Sequence, residues 1–123
     1  MKDQPTVAIL GASGDRSKFG NKSLRAHLRQ GYQVFPVNPK GGDIEGLAVY
    51  TSLADVPVSR LTRISVYLPP AVTLAALDDI AGKGCDELWL NPGSADQAVL
   101  DRAEQLGLRP ITACSILDVG ERP

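Results

Sequence analysis

The feature that most restricts the fold is the alternation of short apolar runs with segments of helical periodicity. Five runs are typical of buried strands, at residues 6–10, 33–37, 63–68, 87–90 and 109–113. Three intervening segments, 21–30, 71–81 and 95–106, carry apolar residues at helical spacing. Because strands joined by helices form right-handed parallel crossovers, the sequence predicts an α/β fold. We expect a single Rossmann-like, doubly wound domain over residues 1–123, with a mostly parallel five-stranded sheet and helices on both faces.

Local signals refine this expectation at three places. Pro36 falls inside the second run, where a missing N–H favours a strand at the sheet edge. Ser94 precedes the third helical segment and is a candidate N-cap for it. Residues 47–50 are predicted to be extended, and residues 52–55 to form a turn or a short helix.

The charge and cysteine content restrict the partners of the chain. Thirteen basic and 14 acidic residues give a formal charge of −1, so no nucleic-acid partner is expected. No apolar run reaches the ~20 residues that cross a bilayer, and residues 1–5 lack the features of a signal peptide. Two cysteines and one histidine show no metal-ligand spacing. We therefore expect a cytoplasmic protein without a metal or a membrane partner.

The predicted topology also locates a ligand. Open parallel sheets bind ligands beyond the carboxyl ends of their strands, where the strand order reverses. Four loops occupy that edge, at residues 11–21, 38–42, 68–71 and 91–94, and all are rich in Gly, Pro, Asn or Ser. These residue types let the backbone approach a ligand closely and present N–H groups to it.

The first loop has the chemistry of an anion site. Gly11 and Gly14 allow a tight turn before the first helix, whose N–H groups and dipole favour a negative group such as a diphosphate. Arg16 and Lys18 add positive charge, and Ser13 and Ser17 add hydroxyl donors. The spacing differs from the G-x-G-x-x-G fingerprint, because serine and arginine stand where its second and third glycines would be.

The second loop discriminates among nucleotide cofactors. NAD-binding domains usually place an acidic residue after the second strand, where it accepts hydrogen bonds from the ribose hydroxyls. Here Asn38, Pro39 and Lys40 follow that strand, and the first carboxylate is Asp43. Because a lysine suits a phosphorylated ribose better than free hydroxyls, NADP or coenzyme A is favoured over NAD.

Residues 7–13, 18–21 and 31–39 resemble the small CoA-binding proteins related to the CoA-binding domain of the succinyl-CoA synthetase alpha subunit. Residues 46, 50–57 and Trp89 add weaker similarity. The resemblance implies that residues 11–14 and Lys40 hold the nucleotide part of CoA, and that loops 68–70 and 91–93 line the same site. The chain departs from the family pattern between Trp89 and Gly93, which lacks the common glutamine, and beside Cys114, which lacks an aspartate.

The residues predicted to contact the ligand come from all four loops. They are Gly11, Ala12, Ser13, Gly14, Arg16, Ser17, Lys18, Phe19, Asn21, Asn38, Pro39, Lys40, Leu68, Pro69, Pro70, Asn91, Pro92 and Gly93.

No catalytic constellation is found beside these residues. The synthetase uses a phosphorylated histidine from a second domain, whereas His27 lies within the first predicted helix, away from the loops. The acidic pairs at 78–79 and 86–87 are typical of solvated surface, and Cys114 of a small buried residue.

The function expected is therefore binding of coenzyme A or an acyl-CoA, through its phosphates, as a non-catalytic or regulatory module. Two alternatives stay open: an NADP-dependent oxidoreductase fragment and an interaction domain with a vestigial pocket. A homodimer or a partner enzyme is also left open.

Overall fold

The computed structural model describes residues 4–123. Its strands are β1 (Thr6–Leu10), β2 (Gln33–Val37), β3 (Asp43–Ile44), β4 (Leu47–Ala48), β5 (Leu61–Val66) and β6 (Cys85–Leu90). Its helices are α1 (Phe19–Arg29), α2 (Pro70–Lys83), α3 (Gln97–Gln105) and α4 (Ser115–Asp118), with one 3-10 turn at Leu53–Asp55. The first two strands have the predicted bounds, and the three longer helices, β5 and β6 begin and end within two residues of prediction.

Four parallel strands form the main sheet in the order β2-β1-β5-β6. Ala8, in the middle of β1, lies opposite Phe35 of β2 on one side and Ile64 of β5 on the other. Since the chain places β2 to one side of β1 and β5 to the other, the strand order reverses at β1, as expected for a doubly wound sheet. The short strands β3 and β4 form a separate antiparallel pair.

Side chains of β1 alternate between two buried layers. Ala8 and Leu10 pack into a cluster with residues of α2 and α3. Val7 and Ile9 pack on the opposite face of the sheet, with Leu24 of α1. The prediction of an α/β fold with helices on both faces is thus confirmed.

The predicted fifth strand at residues 109–113 is wrong. Among the described residues this segment forms a single bridge, in which Ile111 pairs with Trp89 of β6. Ile111 donates to the Leu88 carbonyl over 2.7 Å and accepts from the Leu90 N–H over 2.9 Å. The neighbouring Pro110 has no N–H to extend the ladder, and the chain then turns into α4, which the sequence did not predict.

Two local predictions have different outcomes. β2 is an edge strand, as Pro36 indicated. The predicted N-cap at Ser94 is wrong, because α3 begins three residues later and the Asp96 carboxylate accepts from the Val99 N–H over 3.0 Å. No helix within residues 4–123 is long and apolar enough to cross a membrane.

Candidate functional site

A cavity of about 600 Å³ opens at the carboxyl ends of β1, β5 and β6. Its lining comes from three of the four predicted loops and consists of Gly11, Ser17, Lys18, Phe19, Gly20, Tyr67, Leu68, Pro69, Pro70, Pro92, Gly93 and Ser94. A volume of this size is typical of sites for small organic ligands. Its position beside the reversal of strand order is where ligands of such sheets bind.

Two glycines set the path of the first loop. Gly11 has a φ of +84°, and a Cβ there would overlap the Tyr67 carbonyl oxygen. A Cβ at Gly20 would overlap the carbonyl oxygen of Gly11 itself. The start of α1 and the end of β1 are therefore in backbone contact, which only glycine permits. A Cβ at Gly14, by contrast, would meet nothing within 4 Å.

Hydrogen bonds within the loop hold its middle section. The Asp15 carboxylate accepts from the N–H of Ser17 over 3.0 Å and from its hydroxyl over 2.6 Å. The Ser13 hydroxyl accepts from the Asp15 N–H over 3.0 Å. The hydrogen bonds that Ser17 donates lower the pKa of the Asp15 carboxyl group, so it stays ionised. An anionic ligand would approach the first loop from the side of Lys18 and Phe19, which line the cavity, rather than from Asp15.

The N-termini of two helices reach this cavity. Lys18, Phe19 and Gly20 begin α1, and Pro69 and Pro70 begin α2. Neither helix has a capping side chain or an acidic residue in its first turn, whereas α3 is capped by Asp96. Helix N-termini carry partial positive charge. The N–H groups of Phe19 and Gly20 in α1 have no intrahelical acceptor, whereas Pro69 and Pro70 of α2 have no N–H. The cavity therefore has the electrostatics of an anion-binding site.

Part of the cavity lining is apolar. Phe19 is 56% exposed at the rim, and Leu68, Pro70 and Pro92 complete the surface. Such a surface favours a flat or aliphatic group of a ligand over a charged one.

Tyr67 forms part of the cavity, and its hydroxyl lies 3.0 Å from the Ser115 hydroxyl. Burial raises the pKa of Tyr67, although hydrogen bonds from neighbouring serines oppose this shift. Tyr67 therefore presents a neutral phenol at neutral pH.

Asn91, a predicted ligand contact, has its side chain in the protein interior. Its amide NH₂ donates to the Ser65 hydroxyl over 2.8 Å and to the Val66 carbonyl over 2.9 Å. Its amide oxygen accepts from the N–H and the hydroxyl of Ser115. The Ser94 hydroxyl donates to the Asn91 carbonyl over 2.7 Å. Asn91 therefore joins β5, the loop after β6 and α4, and the next three residues line the cavity.

The second loop lies beside the first but outside the cavity. Asn38 donates to the Ala12 carbonyl and accepts from the Lys40 N–H, each over 2.8 Å. Pro39 and Lys40 are exposed and do not belong to the cavity lining.

Several other predicted residues also lie outside the lining. Ala12 is buried and Ser13 half-buried, whereas Gly14 is exposed. Arg16 is exposed and its guanidinium lies 3.5 Å from the Glu45 carboxylate. Asn21 is buried and donates to the Ser13 carbonyl over 2.8 Å.

Sequence reasoning missed three lining residues, Gly20, Tyr67 and Ser94. Gly20 was recognisable as the first glycine of the helix. Tyr67 lies one residue before the third predicted loop, and Ser94 was interpreted as a helix N-cap.

Two titratable side chains outside the cavity, those of His27 and Cys85, have shifted pKa values. His27 is fully buried on α1, and burial lowers its pKa. Burial also raises the pKa of the Cys85 thiol to about 11, so this thiol is protonated at neutral pH. Within residues 4–123 no group of three His, Cys, Asp or Glu side chains could hold a metal ion.

Comparison with known proteins places this site in context. Residues 5–119 match the family model described as a CoA binding domain. The chain is 26% identical over 120 residues to the alpha subunit of ADP-forming acetate–CoA ligase I from Pyrococcus furiosus, covering 85% of this chain and 26% of that subunit. The chain spans about a quarter or less of the length of the curated relatives it matches.

Solved structures show the same architecture. A conserved hypothetical protein from Pyrococcus furiosus is 30% identical with a TM-score of 0.83, and the match covers 93% of this chain and 98% of that one. The dinucleotide-forming acetyl-coenzyme A synthetase 1 of Ca. Korarchaeum cryptofilum, solved with phosphate and ADP, is 26% identical with a TM-score of 0.76. That match covers 88% of this chain and 25% of the synthetase.

Proposed function

Because the chain belongs to the CoA-binding domain family, we propose that its cavity binds coenzyme A or an acyl-CoA through the phosphates of the nucleotide. The observation that carries this proposal is the meeting of two uncapped helix N-termini, those of α1 and α2, at one cavity with Lys18. The backbone N–H groups of Phe19 and Gly20 in α1 can donate to phosphate oxygens, whereas α2 begins with two prolines and contributes the positive end of its dipole.

The polar and apolar parts of the cavity indicate which part of the ligand each would contact. The diphosphate would lie at Lys18, Phe19 and Gly20, where charge and free N–H groups coincide. The apolar wall of Leu68, Pro70 and Pro92 would receive an uncharged part of the coenzyme.

Lys40 is proposed to reach the phosphorylated ribose from the second loop. Its backbone is fixed beside the first loop through Asn38, and its side chain is exposed and free to reorient. This assignment rests on the family resemblance together with the adjacency of the two loops.

We further propose that the chain itself is a binding or regulatory module rather than a complete enzyme. The acetate–CoA ligase subunit that it resembles is about four times as long. The acyl transfer implied by the name of that enzyme would therefore need residues from outside the matched region. A partner enzyme could supply them.

Calorimetric titration with coenzyme A, acetyl-CoA, NADP and NAD tests the ligand. We expect coenzyme A and acetyl-CoA to bind, and Lys18→Ala to weaken binding about tenfold because it removes a charge-assisted contact. Arg109→Ala is the matched control, because it removes an exposed cation beyond β6, at the sheet edge opposite β2. It should leave the affinity unchanged.

Each remaining outcome contradicts a part of the proposal. Binding of NADP without coenzyme A would favour the oxidoreductase alternative. Absence of binding to all four would favour an interaction domain with a vestigial pocket. Release of free thiol from acetyl-CoA by the protein, measured with a thiol reagent, would contradict a non-catalytic role.

A further inference from the structure

A second concave surface, separate from the cavity, lies between α1 and the C-terminal segment. This groove has a volume of about 200 Å³ and is lined by Lys22, Arg25, Arg29, Arg122 and Pro123. None of these residues lines the cavity described above. Lys22, Arg25 and Arg29 follow one another at intervals of three and four residues, which places them on one side of α1.

Most of these cations lack a carboxylate partner. Among residues 4–123, Arg29 alone of the four forms an ion pair, at 2.8 Å from Glu121. Outside the groove, some arginines are neutralised by carboxylates: Arg60 pairs with Asp86 and Arg102 with Asp78, each at 2.9 Å. The groove thus brings four cations together in a chain whose formal charge is only −1. Like charges brought together in this way repel one another unless an anion lies between them.

Two arginines of the groove are already oriented by hydrogen bonds, Arg25 to neutral acceptors and Arg29 to a carboxylate. The Nε of Arg25 donates to the Asn21 amide oxygen over 2.7 Å, and its Nη2 donates to the Arg16 carbonyl over 3.0 Å. Arg29 is held by Glu121. A guanidinium that is already oriented loses less conformational freedom when it binds an oxyanion.

From this geometry we propose that the groove is a second anion site, which takes the phosphoryl group of a small molecule. A phosphate monoester carries about −1.5 to −2 charges near neutral pH and three acceptor oxygens, which match several donors at once. A single carboxylate would offset only one of the three unpaired cations. Free inorganic phosphate and an organic phosphate ester both present this group, and the probes below distinguish them.

The test uses the full chain and three probes: inorganic phosphate, inorganic pyrophosphate and phenyl phosphate. Amide and arginine side-chain NMR signals are followed during each titration. We expect saturable shifts at Arg25, Arg29 and Arg122, with Arg122→Gln weakening binding about tenfold and Arg109→Gln leaving it unchanged. Arg122 has no hydrogen-bond partner among the described side chains, so its substitution should not disturb folding; Arg25→Gln is the second variant. Preference for phenyl phosphate over inorganic phosphate would identify an organic ester as the ligand, and the reverse would identify the free ion.

Substitution of Lys18 separates this site from the cavity. When the arginine signals of the groove are followed, the probes should bind Lys18→Ala with the same affinity as the unsubstituted chain. Shifts confined to the cavity, loss of binding in Lys18→Ala, or no saturation by any probe at millimolar concentration would overturn the proposal. None of these results depends on whether coenzyme A binds.

Discussion

The side-chain amide of Asn38 donates a hydrogen bond of 2.8 Å to the carbonyl oxygen of Ala12 and so joins the loop after β2 to the loop after β1. The amide oxygen of the same side chain accepts from the Lys40 N–H. One asparagine therefore fixes the second loop against the first and fixes the backbone of Lys40 at the same time.

Asn38→Asp should weaken the contact between these two loops. The aspartate keeps the acceptor for Lys40 but removes the donor to Ala12 and places two oxygens together. We expect the free energy of unfolding to fall by about 1–2 kcal/mol, measured by urea denaturation. Asn38→Ala should cost a similar amount and should also release the second loop. Equal protection of the Lys40 amide against hydrogen exchange in both variants would contradict the conclusion that the side-chain oxygen at position 38 holds the Lys40 N–H.

Lys40→Ala should weaken coenzyme A binding about tenfold in calorimetry, if its ammonium group contacts the ribose phosphate. The same variant should leave the affinity for 3′-dephospho-coenzyme A unchanged, because that ligand lacks the phosphate. Arg109→Ala serves as the charge-matched control. Equal losses for the two ligands would assign Lys40 to the diphosphate instead.

Gly20→Ala should lower the free energy of unfolding by about 1–3 kcal/mol or more, because the new methyl group overlaps the Gly11 carbonyl oxygen. Gly14→Ala is the matched control. Its Cβ would meet nothing within 4 Å, so we expect a change within about 1 kcal/mol and in the stabilising direction. The stabilities of the two variants are compared by thermal unfolding. Equal stability would show that the backbone at this contact shifts at little energetic cost.

His27 should make the stability depend on pH. Its Nδ1 lies 2.8 Å from the Ser23 carbonyl oxygen, and its Nε2 lies 3.5 Å from Arg63, which fits a neutral ring with the proton on Nδ1. Burial lowers the pKa of His27 in the folded protein, and Arg63 lowers it further against the opposing effect of Ser23.

The unfolded chain, with a histidine pKa of ~6.5, therefore binds this proton first. Stability is unaffected by His27 above that pH and is lost progressively as the pH falls below it. Urea denaturation at pH 7.5, 6.5 and 5.5 measures the effect. His27→Gln should show a smaller decrease over this range. An identical decrease would assign the effect to carboxylates.

Asn91→Ala should lower the free energy of unfolding by about 3 kcal/mol, because it leaves the Ser65 hydroxyl, the Val66 carbonyl and the Ser115 N–H without this partner. Ser94→Ala removes one hydrogen bond to the same residue and should cost about 1 kcal/mol. Hydrogen exchange should show faster opening of α4 in the first variant only. Equal exchange of α4 in both would mean that Asn91 does not hold this helix.

The alternation of apolar runs was sufficient to predict the parallel sheet, the helices on both its faces and the edge on which the cavity opens. It could not distinguish a strand from a single bridge at Ile111. Hydrophobic periodicity does not show where the backbone N–H groups needed to extend the strand pairing are absent. The helix α4 was missed because four residues carry too little periodicity to be recognised.

The candidate site was predicted at the level of loops rather than of side chains. Gly11, Lys18 and Phe19 line the cavity, whereas the Asn91 side chain faces inward because Ser65 and Ser115 satisfy its amide. Which way a polar side chain turns depends on partners that are distant in sequence. Such pairings are visible only once the strands and α4 have been brought together.

The contact between Gly11 and Gly20 has an evolutionary consequence. Because this contact is between main-chain atoms, the exposed side chains at positions 16, 18 and 40 can be exchanged without altering it. Descendants of one ancestral scaffold can thereby shift their preference from one phosphorylated compound to another through a few surface replacements.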